Sequence, residues 1–136
     1  MYHPWRALRA LQHVTLVWTP MLRRLGATNG RDTIHLDPRQ YQVERRCTLA
    51  HELVHLELGH DGGCSPVVER QVRREAARRL IALDRLVDAW RWAMSLEEVA
   101  DECWVTPDVL RDRLDYLEPD EAQRLADAIL AREDGA

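Results

Sequence analysis

The chain has 136 residues, enough for one hydrophobic core but not for two independent ones. Its 46% hydrophobic and 31% charged residues describe an ordinary globular protein, and no apolar run approaches the roughly 20 residues of a membrane span. The net charge of −4 at pH 7, with 13 acidic residues against 4 Arg from Ser95 onward, argues against a general nucleic-acid binder.

Met1 to Leu11 is interrupted by His3, Pro4, Arg6 and Arg9 and lacks the pattern of a secretory signal, so an intracellular, cytoplasmic protein is expected. Cys47, Cys64 and Cys103 are an odd number without framework spacing, which fits reduced thiols better than a disulfide scaffold. All 19 basic residues are Arg, a usage compatible with a phage or bacterial origin in a GC-rich genome.

Taken in chain order, Pro4 to His13 predicts a first helix with Trp5, Leu8 and Leu11 available for packing. His13 to Thr19 alternates, with Val14, Leu16 and Trp18 on one side, and predicts a strand. Met21 to Leu25 reads as a short helical turn, and Gly26, Asn29 and Gly30 mark a loop. Thr33 to Asp37 predicts a second strand, ended by Pro38.

Val43 to Leu58 contains neither Gly nor Pro and stops at Gly59, as a helix closed by a left-handed cap would. Ser65-Pro66 reads as an N-cap with proline in the first turn, opening a helix to about Trp92 with a stripe of Val68, Val72, Ala76, Leu80, Leu83 and Val87. Ser95 caps a helix from Leu96 to Cys103, Thr106-Pro107 opens another to about Leu117, and Pro119 to Arg132 is the last. The expected fold is α+β: a mostly helical, zincin-like single domain over residues 1–136, with a small antiparallel sheet and a C-terminal helical subregion from about residue 95.

The helix from Val43 carries Ala50-His51-Glu52-Leu53-Val54-His55. Residues four apart lie on one helix face, so His51 and His55 can aim their ring nitrogens at a single metal ion. Glu52, one position off that face, is placed beside the ion, where a carboxylate can take a proton from water the metal activates. Burying three polar groups in the apolar run Leu49, Ala50, Leu53, Val54, Leu56 and Leu58 is costly without a partner, and a zinc ion is that partner.

A catalytic zinc site has three protein ligands, so a third must come from elsewhere. The spacing to Gly59 and His60 is out of register for a third histidine ligand further along, so His60 reads as a helix C-terminal histidine favoured by the local dipole. Cys47 reads as a small core residue, and Cys64 as a weak ligand candidate in the following loop. Glu69 lies inside the apolar stripe of the next helix and Glu75 at its margin. Each also has an arginine one turn on, Arg73 and Arg79, that explains it as a surface ion pair. The residues by themselves leave this choice open.

Thr33-Ile34-His35-Leu36-Asp37, the run from Cys47 through His55 to Gly59-His60, and Arg74-Glu75-Ala76-Ala77 resemble the ImmA/IrrE family of metallo-endopeptidases. In that family a second helix with a Glu-Ala step supplies the third ligand, so the resemblance implies His51, His55 and Glu75 as zinc ligands. Leu96 to Leu110 is similar to the helix-turn-helix-like segment that often follows. Arg79 and Arg85-Leu86 depart from the family pattern around Glu75. The resemblance implies a zinc endopeptidase with Glu52 as general base and a DNA-binding repressor as protein partner and substrate.

Tyr41, His35 and Tyr116 are candidates for stabilising the oxyanion, each also explained by an ordinary strand or core role. Two other functions compete. One is a zinc-stabilised module that regulates a repressor by binding it. The other is a helix-turn-helix DNA binder, against which Asp108, Asp112 and Asp115 outweigh Arg111 and Arg113. The helix-turn-helix-like segment is therefore expected to be structural, completing the core through Leu96, Val99, Val109, Leu110 and Leu114.

Overall fold

A computed structural model of the chain describes residues 1–60 and 65–135. Its helices are α1 (Pro4–Ala10), α2 (Gln42–Leu58), α3 (Pro66–Leu80), α4 (Leu83–Trp92), α5 (Leu96–Glu102), α6 (Pro107–Asp115) and α7 (Pro119–Gly135), and its strands β1 (Thr15–Trp18), β2 (Gly26–Thr28) and β3 (Thr33–Leu36). The class is α+β, as the alternation of periodicities predicts. No helix among the described residues is long and apolar enough to cross a membrane.

The sheet corrects one expectation. It is mixed, in the order β1-β3-β2, with β1 parallel and β2 antiparallel to β3. The additional strand, β2, occupies the segment around Gly26 that reads as loop. Three residues with a glycine carry too little alternation to declare a strand, but Asn29-Gly30 closes it into a hairpin with β3. The Asn29 Oδ1 accepts the backbone N–H of Arg31, Asp32 and Thr33 at 2.9, 3.0 and 3.1 Å, and Gly30 takes φ +73°. Met21 to Leu25 is not helical, and α1 stops at Ala10.

Helix α2 is the centre of the fold. Glu44 accepts the Tyr41 backbone N–H at 3.1 Å at its start, and Gly59 at φ +73° ends it. One of its faces buries Leu49, Leu53 and Leu56 against Ile34 and Leu36 of the sheet and Leu8 of α1. Another buries Cys47 and Ala50 against the helical layer, in a cluster with Leu80, Ile81, Leu86 and Leu110. Val54 meets Val72 and Ala76 of α3. Because α2 is covered on several sides, the polar groups it carries inward are held in fixed positions.

The helix expected from Ser65 to Trp92 is broken at Ile81-Ala82. No Gly or Pro announces the break. Ile81 is fully buried and extended (φ −124°, ψ 94°), and its carbonyl accepts the Arg113 Nε–H at 2.9 Å. The three N-caps read from sequence are present: Ser65 Oγ accepts from Val68 N, Ser95 Oγ from Glu98 N, and Thr106 Oγ1 from Val109 N.

Helices α5 and α6 form the helix-turn-helix-like unit. Trp104 closes α5 at φ +56°, with Trp104 N–H bonded to the Asp101 carbonyl and Val105 N–H to that of Ala100. The buried Arg46 of α2 holds the Trp104 carbonyl at 2.7 Å, which supports a left-handed conformation that glycine usually takes. Val99 and Leu110 are buried and Val109 and Leu114 pack against the same cluster, as expected of a structural unit. Leu96 does not join them; as the first residue of α5 it is 54% exposed.

Candidate metal centre

The turn of α2 between residues 51 and 55 brings the two imidazoles together, with their Nε2 atoms 3.2 Å apart. A carboxylate from α3 completes the group: Glu69 Oε1 lies 2.9 Å from His51 Nε2, and Oε2 lies 3.1 Å from His55 Nε2. Among the described residues, His51, His55 and Glu69 are grouped with ligand atoms all within 4.8 Å of one another. Zinc bonds of about 2.0–2.1 Å in tetrahedral array put neighbouring donors about 3.3 Å apart, and these separations lie within a few tenths of that.

Chemistry agrees with distance. Two ring nitrogens facing both a carboxylate and each other cannot all be matched by hydrogen bonds, since two N–H groups would oppose one another at 3.2 Å. One cation satisfies all three. Burial, above all, pushes the pKa values of His51 and His55 down, against the opposing pull of the Glu69 carboxylate, and so favours the neutral imidazole that a metal requires.

The structure places Glu69, and not the Glu75 that the family resemblance implies, beside the two histidines. Glu75 is half-exposed and pairs with Arg79 at 2.9 Å, and Arg79 also holds Glu57 at 2.7 Å. Six residues separate Glu69 from Glu75, which turns them about 120° apart on the helix. With Val72 buried against α2, they lie on opposite flanks of that contact, and the Glu69 flank faces the histidines.

Glu52 is buried but stands outside the ligand group. Desolvation, reinforced by the Glu69 carboxylate and opposed by Arg24, pushes its carboxyl up to about 7. It lines a cleft of about 1220 Å³ together with His51, His55, Glu69, β2 and the start of α6. Gly26 lets the strand come this close: a Cβ there would lie 2.7 Å from Thr48 Cγ2, 3.0 Å from Glu52 Cγ and 3.2 Å from the His35 carbonyl oxygen. Gly26→Ala is therefore expected to destabilise the fold by about 1–3 kcal/mol, the range of an overpacked contact, as read by urea denaturation. An unchanged midpoint would show that β2 can shift without cost.

Strand β2 is an edge. Asp37 N–H bonds to the Leu25 carbonyl and Asn29 N–H to that of Thr33, so the alternation of an antiparallel pair directs the N–H and C=O of Gly26 and Thr28 away from β3. Across the cleft, α6 offers Asp108, Asp112 and Asp115 at helical spacing. Arg24 near Glu52 is a cleft residue for which sequence spacing carries no signal, whereas Arg73, 3.8 Å from Glu69, follows from the one-turn spacing.

The three oxyanion candidates are placed elsewhere. Tyr41 is 82% exposed at the start of α2, His35 Nδ1 contacts Thr19 Oγ1 at 2.9 Å, and Tyr116 caps the end of α6; none lines the cleft. Cys47 does line it, as a buried thiol whose pKa burial raises, and is not in the ligand group. Cys64 lies outside the described residues.

An HExxH helix whose histidines are joined by a carboxylate from a neighbouring helix is an arrangement that metallopeptidase domains use. The model of one such family, peptidase M78, described as the IrrE N-terminal-like domain, matches residues 17–114, and the chain belongs to this family. No curated protein and no solved structure matches it.

Proposed function

We propose that the chain is an intracellular zinc-dependent endopeptidase acting on a protein substrate, a DNA-binding repressor. The observation that carries the reading is the convergence of His51, His55 and Glu69 with the buried Glu52 beside them in one cleft. Family membership supports the reaction class, and the resemblance to ImmA/IrrE proteins supports the kind of substrate.

A zinc ion held by the three ligands would supply Lewis acidity at the scissile carbonyl. The chain's own groups do the rest. The outward N–H and C=O groups of Gly26 and Thr28 can pair with an extended peptide laid along β2, which places its backbone beside Glu52. Glu52 takes a proton from the attacking water and delivers it to the departing amine, a task suited to a carboxyl whose pKa burial brings near neutrality. Asp112 and Asp115, with Asp108 already paired to Arg111 at 3.2 Å, favour a basic side chain on the segment facing α6. Because α6 turns this acidic face to the cleft, no duplex DNA binding is proposed for it.

The test is Glu52→Gln, which preserves size and leaves the ligands in place. Zinc content and fold should be retained, while cleavage of a co-expressed repressor should fall by about 10²-fold or more. If the variant relieves repression as well as the native protein, and no repressor fragment appears with either, the chain acts by binding as a zinc-stabilised module and the endopeptidase reading is lost.

A further inference from the structure

We propose that His60 is a positioning residue for the metal centre: its Nδ1 accepts the Nδ1–H of His55 and so holds His55 in the tautomer and ring orientation that turn Nε2 to the metal. This rests on the reading of His51, His55 and Glu69 as a metal site.

The arrangement begins with the backbone. Gly59, at φ +73°, gives its N–H to the Leu56 carbonyl at 3.1 Å, and His60 gives its N–H to the His55 carbonyl at 3.0 Å. These two bonds form a Schellman cap, in which the residue after the left-handed one bonds back to the residue five positions before it. Here that residue is His55. The position commonly holds an apolar contact, but in this chain imidazole meets imidazole, with ring centroids 5.4 Å apart, planes inclined by 67° and the two Nδ1 atoms at 3.2 Å.

The bond has one workable polarity. Two Nδ1 atoms at this distance need one proton between them. A His55 that ligates through Nε2 carries its proton on Nδ1, so His60 must accept there and keep its own proton on Nε2. The spacing His55, Gly59, His60 thus encodes both a metal ligand and the group that orients it.

The cap is braced from the sheet. Gly30 in the β2–β3 turn packs so tightly that a Cβ there would lie 2.6 Å from the His60 carbonyl oxygen and 2.8 Å from the Gly59 carbonyl carbon. Thr28 Oγ1 in turn accepts the Gly30 N–H at 3.1 Å and donates to the Thr33 carbonyl at 2.6 Å. The hairpin whose outer edge faces the cleft therefore also fixes His60.

Two substitutions in the full chain test the role. His60→Phe keeps an aromatic ring and removes the acceptor, whereas His60→Asn restores an acceptor, since Oδ1 falls near the place of Nδ1. Chelator competition should show zinc affinity lowered about 10- to 100-fold by His60→Phe, the range for lost outer-shell partners, and largely recovered by His60→Asn. The melting temperature of the metal-free protein should be the same in all three. In the zinc-loaded native protein, ¹⁵N NMR should find a proton on His55 Nδ1 and none on His60 Nδ1. Native-like affinity in His60→Phe, equal weakening in both variants, a parallel fall in metal-free melting temperature, or a proton on His60 Nδ1 would each overturn the proposal while zinc binding by the native chain upheld the site. A native chain that takes up no zinc would overturn the metal reading and this role with it.

Discussion

Glu69→Ala is expected to lower zinc affinity by well over 100-fold, more than the loss of an outer-shell partner costs, while Glu75→Ala leaves it within about twofold. Removing Glu69 takes away the anionic ligand and leaves His51 and His55 facing each other at 3.2 Å with no bridging carboxylate. Glu75 spends its charge on Arg79, which keeps Glu57 as a second partner, so its removal changes an exposed ion-pair network whose contribution to stability is under about 1 kcal/mol. Elemental analysis and chelator competition on the two variants read the difference directly. The reverse ranking would return the third ligand to the position that family resemblance implies.

Glu121→Ala should cost about 3–5 kcal/mol, the range for an ion left uncompensated in a protein interior. The Glu121 and Arg113 side chains are 6% and 2% exposed and meet through Arg113 Nη2 and Glu121 Oε2 at 2.6 Å. Arg78 adds a bond at 2.8 Å to Glu121 Oε1, which also accepts the Glu118 backbone N–H at 2.9 Å. Arg113 continues to the Ile81 carbonyl, so one residue at the start of α7 stabilises the break between α3 and α4 through α6. Its loss should show in urea denaturation as a lowered midpoint.

The same group gives the fold an acid limit. The hydrogen bonds from Arg113, then those from Arg78 and the Glu118 N–H, outweigh burial and hold the Glu121 carboxyl down at about 2, below its ordinary value of 4.5. A group whose folded pKa is depressed stabilises the fold above its unfolded pKa and loses that contribution as pH falls through the folded value. Stability should therefore decline between about pH 5 and pH 2, and Glu121→Gln should flatten that part of the profile. A variant with an unaltered acid profile would assign the decline to other carboxylates.

What the sequence determined by itself is local in its physics. His51, Glu52 and His55 were legible because helical periodicity alone sets which side chains share a face, and Gly59, Ser65-Pro66 and Thr106-Pro107 were legible because caps act over three or four residues. The tertiary structure decided whatever depended on contacts between distant segments. Strand β2 exists because β3 supplies its partner, and the chain breaks at Ile81 because the packed core takes that side chain and Arg113, far along the chain, takes its carbonyl. The carboxylate beside the histidines is of this kind as well. Glu69 and Glu75 each have a good local explanation in an arginine one turn away, so spacing could not rank them. The choice came from the way Val72 and Ala76 seat α3 against α2, because that packing sets the rotation of α3 and hence which carboxylate reaches the two histidines.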